Sequence, residues 1–357
     1  MLFFFVQSVV FELKSLFYTS YYTYYNPADC FLDPFFNFFG RIIGALGYAF
    51  VLVGVSILSF EICLHYVIYL PLVLRTLDPF QILFHIIVGH WILANVSFNY
   101  FKCLTTNPGS PPNDSRAAKQ IIGVCKRCIG PKPPRAHHCS VCKKCVLRMD
   151  HHCPWINNCV GHFNHKFFFS FLVYLIIGAL YLVATAHFYF NIQFRFTKAL
   201  RIFRRRELLS HDWYHSAISL HFGLAFISLL PVGFLFLQQA KLLFFGETVI
   251  EQYTNIRDRQ RCKEQKIQFR NIYDYGWRNN IFLMYGVTQA EYEKDWSFLR
   301  VFLLPNSRNP IGDGLSWFPP DSPLAKRSCP PKNSIMSQHS ISRVSEQNSQ
   351  MAQVVVM

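Results

Sequence analysis

The chain has 357 residues and a formal net charge of +15; 52 % of it is hydrophobic, 17 % aromatic and only 15 % charged. Soluble globular chains carry about 25 % charged residues, so this composition excludes an ordinary soluble domain and points to a membrane protein. The positive charge alone would suit nucleic acid. Its basic residues instead flank apolar runs and a cysteine-rich segment, where anionic lipid headgroups and phosphorylated cofactors are nearer partners, and no nucleic-acid partner is expected.

Residues 1–10 are apolar but lack a basic n-region and a small-residue cleavage site, so region 1–41 reads as an interfacial segment and not as a cleaved signal peptide. Four stretches then meet the requirement of about 20 largely apolar residues for crossing a bilayer. The first lies within 42–74, interrupted by Glu61 and Pro71, with 42–60 free of charge. The others are 79–101, 167–194 and 213–240, none of which contains Asp, Glu, Lys or Arg. With four spans, the segment 102–166 and the region after 240 share one side with the N-terminus. That side holds most of the 35 Lys and Arg, which makes it cytosolic by the positive-inside rule. Arg201, Arg204, Arg205 and Arg206 run against this trend. They crowd the opposite loop, interleaved with apolar residues as in an interfacial amphipathic helix; a solvated basic loop is the alternative.

Between spans two and three lie Cys125-x2-Cys128, nine residues, His138-Cys139-x2-Cys142-x2-Cys145, Asp150-His151-His152-Cys153 and Cys159. Closely spaced Cys-x2-Cys pairs on a cytosolic segment read as metal ligands, where a secreted chain would form disulfides. Two tetrahedral zinc sites need eight thiolate or imidazole ligands. Six cysteines and two histidines fill them, and Cys153 is left over. Spacing does not decide which histidine of each adjacent pair, His137/His138 and His151/His152, binds metal. Cys153 itself has two readings. It is either another ligand or structural thiol, or a free thiol beside an imidazole and a carboxylate, which is the arrangement of an activated nucleophile.

The motifs Cys125-Lys-Arg-Cys128, Pro134-Arg-Ala-His-His-Cys139 and Asp150-His-His-Cys-Pro-Trp-Ile-Asn-Asn-Cys-Val-Gly161 resemble the cysteine-rich domain of the DHHC protein S-acyltransferases. The resemblance extends to four spans with this domain between the second and third, to Asn107-Pro108-Gly109 and to Asn271-x-Tyr273-Asp274-x-Gly276. Pro71-Leu-Val-Leu-Arg-Thr76, Thr105-Thr-Asn-Pro-Gly109 and Gly314-Leu-Ser-Trp-Phe-Pro-Pro320 resemble most the Abl-philin type, number sixteen in the vertebrate series. Two departures stand out. The family's Thr-Thr-x-Glu is Thr248-Val249-Ile250-Glu251 here, and its Asp-Pro-Gly is Asn107-Pro108-Gly109.

The resemblance implies an α-helical integral membrane protein with four transmembrane helices and a cytosolic, metal-stabilised domain between helices two and three. It implies two structural Zn2+ ions, one held by Cys125, Cys128, His138 and Cys145 and the other by Cys139, Cys142, His152 and Cys159. The implied reaction moves a fatty acyl group from palmitoyl-CoA, or another long-chain acyl-CoA, through Cys153 to cysteines of membrane-associated substrate proteins. His151 is the implied base and Asp150 its orienting partner. Lys132, Arg135 and His137 are expected to meet the phosphates of coenzyme A. Trp155, Phe167, Phe168, Phe169 and Phe171 suit the walls of an acyl-chain site, with ordinary helix packing and lipid contact the alternative for any single Phe; Gly178 and Ala179 either leave that cavity deep or serve close helix packing. The endoplasmic reticulum is the expected membrane, with the Golgi as the other candidate.

The expected organisation is thus 1–41 interfacial, 42–101 helices one and two, 102–166 the zinc-binding catalytic domain and 167–245 helices three and four with the basic loop. Region 246–329 is expected to pack on the spans and 330–357 to be disordered. Residues 246–268 read as a charged amphipathic helix continuing from span four, Asn271 as structural, and Cys262 and Cys329 as exposed tail thiols. Two other functions compete. A non-catalytic zinc adaptor would have no need of a thiol outside the zinc count. A zinc transporter fits poorly, because the span regions hold only Glu61, His65, His85, His90, His187, His215 and His221, with no ligand-spaced pair beyond Glu61/His65.

Overall fold

A computed structural model describes residues 27–112, 122–200, 212–294 and 299–317. Most of the interfacial segment, the four loop arginines, Cys329 and the tail beyond 330 therefore lie outside the described residues. Helix α1 (Pro27–Leu64) runs through a π-helical turn (His65–Tyr69) into α2 (Leu70–Thr76); α3 is Pro79–Thr105, α4 His165–Leu200 and α5 Asp212–Phe244. Four segments of these are long and apolar enough to cross a membrane: Gly44–Arg75, Pro79–Thr105, His165–His187 and Ser216–Phe244. Leu52, Ile87, Phe226 and Leu237 are exposed on them, as lipid-facing side chains are. Asp78 starts span two, its Oδ1 accepting from the amides of Phe80 and Gln81 at 2.9 and 3.1 Å.

Glu61 does not interrupt span one. Its Oε2 lies 2.6 Å from Nδ1 of the fully buried His221 on span four. Tyr69 packs on the same imidazole at 4.6 Å between ring centroids. A carboxylate in an apolar span is costly unless paired, so this pair accounts for a charge that the hydropathy pattern treats as a break.

Between spans two and three the chain forms three antiparallel hairpins of three-residue strands: β1 (Gly123–Cys125) with β2 (Gly130–Lys132), β3 (His137–Cys139) with β4 (Lys144–Val146), and β5 (His151–Cys153) with β6 (Asn158–Val160). Strands this short bury little apolar surface, and the domain depends on its cross-links. It docks on span one through glycine. A Cβ at Gly47 would come 2.0 Å from Asn157 Oδ1, and one at Gly54 would meet the Tyr100 hydroxyl at 3.4 Å and Trp155 at 3.6 Å.

Beyond span four the chain breaks before α6 (Val249–Glu264), so the charged helix does not continue the span as expected. Gly246 makes the break with φ +64°, and a Cβ there would lie 2.3 Å from the Tyr273 carbonyl. Thr248 and Glu251 then cap α6 reciprocally, a capping box. Asn271 ties the tail back, donating to the Phe245 carbonyl at 2.7 Å and accepting from the Tyr273 amide at 3.0 Å. Helices α7 (Trp277–Tyr285), α8 (Gln289–Lys294) and α9 (Leu299–Leu303) follow. The Trp91 indole donates to Leu303 O and the Tyr174 hydroxyl to Phe302 O, each at 2.7 Å, which seats α9 on spans two and three. Cys262 is fully buried, not an exposed tail thiol.

Removing one partner of a buried polar contact costs about 1–3 kcal/mol. Glu61→Gln is therefore expected to lower the thermal unfolding midpoint of the detergent-solubilised protein with zinc content unchanged. An unaltered midpoint contradicts the Glu61–His221 tie.

Candidate active site

The hairpin register resolves the adjacent histidines. In β3–β4 His138 stands opposite Cys145, and in β5–β6 His152 stands opposite Cys159. Successive side chains on a strand point to opposite faces, so His137 turns away from the first group, and His151 and Cys153 turn away from the second. Each cross-strand His/Cys pair is completed by the cysteine turn of the preceding hairpin. Ligand atoms of Cys125, Cys128, His138 and Cys145 all lie within 4.8 Å of one another, as do those of Cys139, Cys142, His152 and Cys159. Tetrahedral zinc with bonds of about 2.0–2.3 Å requires ligand–ligand edges of about 3.5–3.8 Å. The edges found include 3.1 Å from Cys128 Sγ to His138 Nδ1, 3.7 Å between Cys145 and Cys128 Sγ, 3.3 Å from Cys142 Sγ to His152 Nδ1 and 3.5 Å between Cys142 and Cys159 Sγ. Both donor sets fit a closed four-coordinate ion. The amides of Cys128 and Cys142 point at Cys125 Sγ and Cys139 Sγ, at 3.4 and 3.2 Å, which favours the thiolate form that a metal needs.

Cys153 is in neither set. It is 2 % exposed in an apolar cluster with Tyr100, Cys103, Ile156, Val160, Phe167, Phe168, Phe171 and Leu172. His151 Nδ1 is 2.7 Å from Asp150 Oδ2, and the Phe168 ring meets the imidazole edge-on at 5.2 Å. Burial disfavours the charged imidazole, but the interactions with Asp150 and Cys153 outweigh it and push the His151 pKa up to about 10. With Nδ1 taken by Asp150, the buried Nε2 is the ring nitrogen left to face Cys153.

Asp150 is fully buried. Besides His151 it accepts from Gln239 Nε2 at 2.9 Å and, through Oδ1, from the Val249 amide at 2.8 Å. Burial alone would raise its pKa, yet His151, the nearby His165 and the Val249 amide hold it well below the usual carboxylate range. Val249, which departs from the family pattern, meets Asp150 through its backbone amide, a contact that does not depend on the side chain. Asn107 likewise does the work of an aspartate, its Oδ1 accepting from the Gly109 amide at 3.0 Å, while the carbonyls of Pro108 and Gly109 take the amides of Phe163 and Leu147.

A DHHC palmitoyltransferase family model matches residues 119–256, which contain both metal groups and Cys153. Over most of its length the chain is similar to palmitoyltransferases ZDHHC16A of Danio rerio (33 % identical; 85 % of this chain, 86 % of the relative), ZDHHC16 of Mus musculus (35 %; 86 % and 84 %) and ZDHHC16 of Homo sapiens (33 %; 86 % and 85 %). The chain belongs to the DHHC palmitoyltransferase family. It is an enzyme of S-acyl transfer, and the two-step route through an acyl-enzyme is general to that family.

The expected walls of the acyl site divide in this palmitoyltransferase. Phe167, Phe168 and Phe171 pack around Cys153, whereas Phe169 packs with Leu243, Met284 and Tyr285. The Trp155 indole lies against that cluster and meets Phe50 edge-on at 5.5 Å, and its carbonyl accepts from the Tyr100 hydroxyl at 2.9 Å. Gly178 does not open a deep cavity. A Cβ there would come 3.2 Å from Ile92 Cγ2, so the glycine serves close packing of spans two and three.

The three expected phosphate contacts also differ among themselves. Arg135, 5 % exposed, is held by Glu251 through two contacts of 2.6 Å, donates to Gly246 O at 2.8 Å, and lies between the rings of Tyr273 and Trp317 at 4.3 and 4.4 Å. Its charge is committed to tying the zinc domain to α6 and the tail. Burial lowers the His137 pKa to about 3, leaving a neutral ring at pH 7. Lys132 is partly exposed at the end of β2. Gln239, His165 and Glu251 belong to this site and were absent from the expected set; the only sequence signal for the first two was a polar residue near the end of an apolar span.

Glu251→Ala leaves the Arg135 guanidinium buried without its anion, which costs about 3–5 kcal/mol. The thermal midpoint should fall, and the Arg135→Ala/Glu251→Ala double variant should be more stable than Glu251→Ala alone. A double variant no better than the single one contradicts the pairing.

Proposed function

We propose that Cys153 carries the acyl group and that His151 and Asp150 activate it. The observation behind this reading is that the one thiol of the motif outside both metal sets lies beside an imidazole that a buried carboxylate orients. His151 accepts the Cys153 proton through Nε2, and Asp150 fixes the ring and stabilises the imidazolium. The sulfur attacks the thioester carbonyl of palmitoyl-CoA, the bond to coenzyme A breaks, and the proton passes from His151 to the departing thiolate. A substrate cysteine thiol then gives its proton to His151 and attacks the acyl-Cys153 carbonyl; the bond to Cys153 breaks, and the Cys153 thiolate takes that proton back from His151. One thioester replaces another in each step, so the work of the enzyme is positioning and thiol activation.

Zinc supplies no chemistry in this scheme. Held by Cys125, Cys128, His138 and Cys145, and by Cys139, Cys142, His152 and Cys159, two closed four-coordinate ions would replace a hydrophobic core and present Cys153 at the membrane edge. Burial of a palmitoyl chain, worth about 0.8 kcal/mol per methylene, fixes the carbonyl there, with Trp155, Phe167, Phe168 and Phe171 as its nearest walls. A phosphate of coenzyme A arriving at this ledge meets Lys132 first. Arg135 and His137 shape the ledge from below, and Arg135 reaches an anion only by giving up Glu251. The same reading places residues 102–166 and 246–329 in the cytosol on an endoplasmic reticulum membrane, acting on membrane-associated proteins with cytosolic cysteines.

Purified enzyme exposed to alkynyl palmitoyl-CoA should acquire a hydroxylamine-sensitive label that is lost in Cys153→Ser with zinc content unchanged. His151→Ala should slow labelling by about 10²–10⁴-fold. Equal label on wild type and Cys153→Ser contradicts the assignment and favours a non-catalytic zinc module.

A further inference from the structure

Asp150 is reached from the membrane side by a second pair of side chains with no part in the scheme above. Gln239, near the cytosolic end of span four, is 1 % exposed and His165, at the start of span three, is fully buried. Gln239 Nε2 donates to Asp150 Oδ2 at 2.9 Å, and Gln239 Oε1 lies 3.2 Å from His165 Nε2. Buried amides are costly unless both ends are met, and here each end has one partner.

The direction of this chain follows from what each atom can do. The ionised Asp150 only accepts, so the amide must turn its NH2 toward it. The amide oxygen then faces His165, which must carry its proton on Nε2. Consistently, His165 Nδ1 is buried with no partner among the described residues, as a lone pair without a donor would be. A flipped amide would set two acceptors against each other at the Asp150 contact, and an Nδ1-protonated His165 would favour that flip. The tautomer of His165 therefore locks Gln239, and Gln239 locks the oxygen of Asp150 that also holds His151 Nδ1.

We infer that Gln239 and His165 are positioning residues for acyl transfer: a relay of directed hydrogen bonds from the membrane bundle that fixes the Asp150 carboxylate and through it the imidazole facing Cys153. The inference rests on the reading of Asp150, His151 and Cys153 given above. Neither residue touches Cys153 or acyl-CoA in this scheme, so losing them should alter the rate of the chemical step and not substrate affinity.

The test is the rate of hydroxylamine-sensitive self-labelling of the full-length detergent-solubilised enzyme by alkynyl palmitoyl-CoA, with kcat and KM determined separately. Rates are taken per chain that retains wild-type zinc content. Gln239→Leu should lower kcat by about tenfold, the weight of a hydrogen bond to a charged group, with KM unchanged. His165→Phe should lower kcat less, because Gln239 keeps its donor but loses its lock. The double variant should be no slower than Gln239→Leu within about twofold, since both act through one contact. Gln239→Glu, the same shape with an acceptor in place of the donor, should fall at least as far, and it decides the matter if Gln239→Leu fails to retain zinc. An unchanged kcat in zinc-replete Gln239→Leu or Gln239→Glu overturns the inference, as does a loss that appears in KM alone or fully additive losses in the double variant. Cys153→Ser run alongside separates the two claims. If its label vanishes while Gln239 variants match wild type, the relay is wrong and the nucleophile stands. If its label persists, the nucleophile assignment itself has failed, and the relay falls with it.

Discussion

A carboxylate removed from water must be met by donors, and Asp150 imposes that constraint on the whole enzyme. It sits just before β5 in the zinc domain, but its donors come from elsewhere: the Gln239 amide on span four and the Val249 backbone at the start of α6, besides the neighbouring His151. The domain cannot swing away from the bundle without leaving a buried charge unmet. Fifteen positions earlier in the chain, Arg135 repeats the logic with opposite sign, a buried guanidinium satisfied by Glu251 of α6 and the carbonyl of Gly246. Together these contacts make span four, the Gly246 break and the capped start of α6 a single frame beneath His151 and Cys153.

The metal groups solve a different problem. Three hairpins of three-residue strands have too little apolar surface to fold on their own account, and the ligand sets tie each to the next: the turn of the first hairpin with the strands of the second, and the turn of the second with the strands of the third. The last hairpin carries His152 on its metal face, and His151 and Cys153 on the other. Strand alternation thereby sends the two histidines of one dipeptide to opposite faces. Apolar docking completes the arrangement, with Gly47 and Gly54 of span one allowing Asn157 and Trp155 to approach the helix backbone.

Much of this was legible in the sequence because metal ligands and bilayer spans leave strong local patterns. The spacing of seven cysteines and four histidines gave the zinc count and the spare thiol, and long apolar runs gave the four spans. Spacing alone did not say which histidine of each pair faces the metal, since that depends on cross-strand register; only the family resemblance pointed to His138 and His152. Long-range partners were equally hidden. Arg135 sits in a basic stretch, and nothing nearby announces that Glu251, 116 positions on, takes its charge. Glu61 looked like a break in span one because its partner His221 lies on span four. Gln239 and His165 were passed over because isolated polar residues in apolar runs have no spacing to read. Val249 looked like a loss because only side chains are visible in a sequence, while the group that reaches Asp150 is its amide.

The central claim is that the zinc domain uses six cysteines and two histidines and leaves Cys153 free. Zinc K-edge absorption on the purified enzyme, with metal content measured in parallel, tests it most directly. Two zinc ions per chain are predicted, with an average shell of three sulfurs and one nitrogen that is the same in wild type and Cys153→Ser. A sulfur count or zinc content that falls on replacing Cys153 would show that thiol to be a ligand, and would contradict the account.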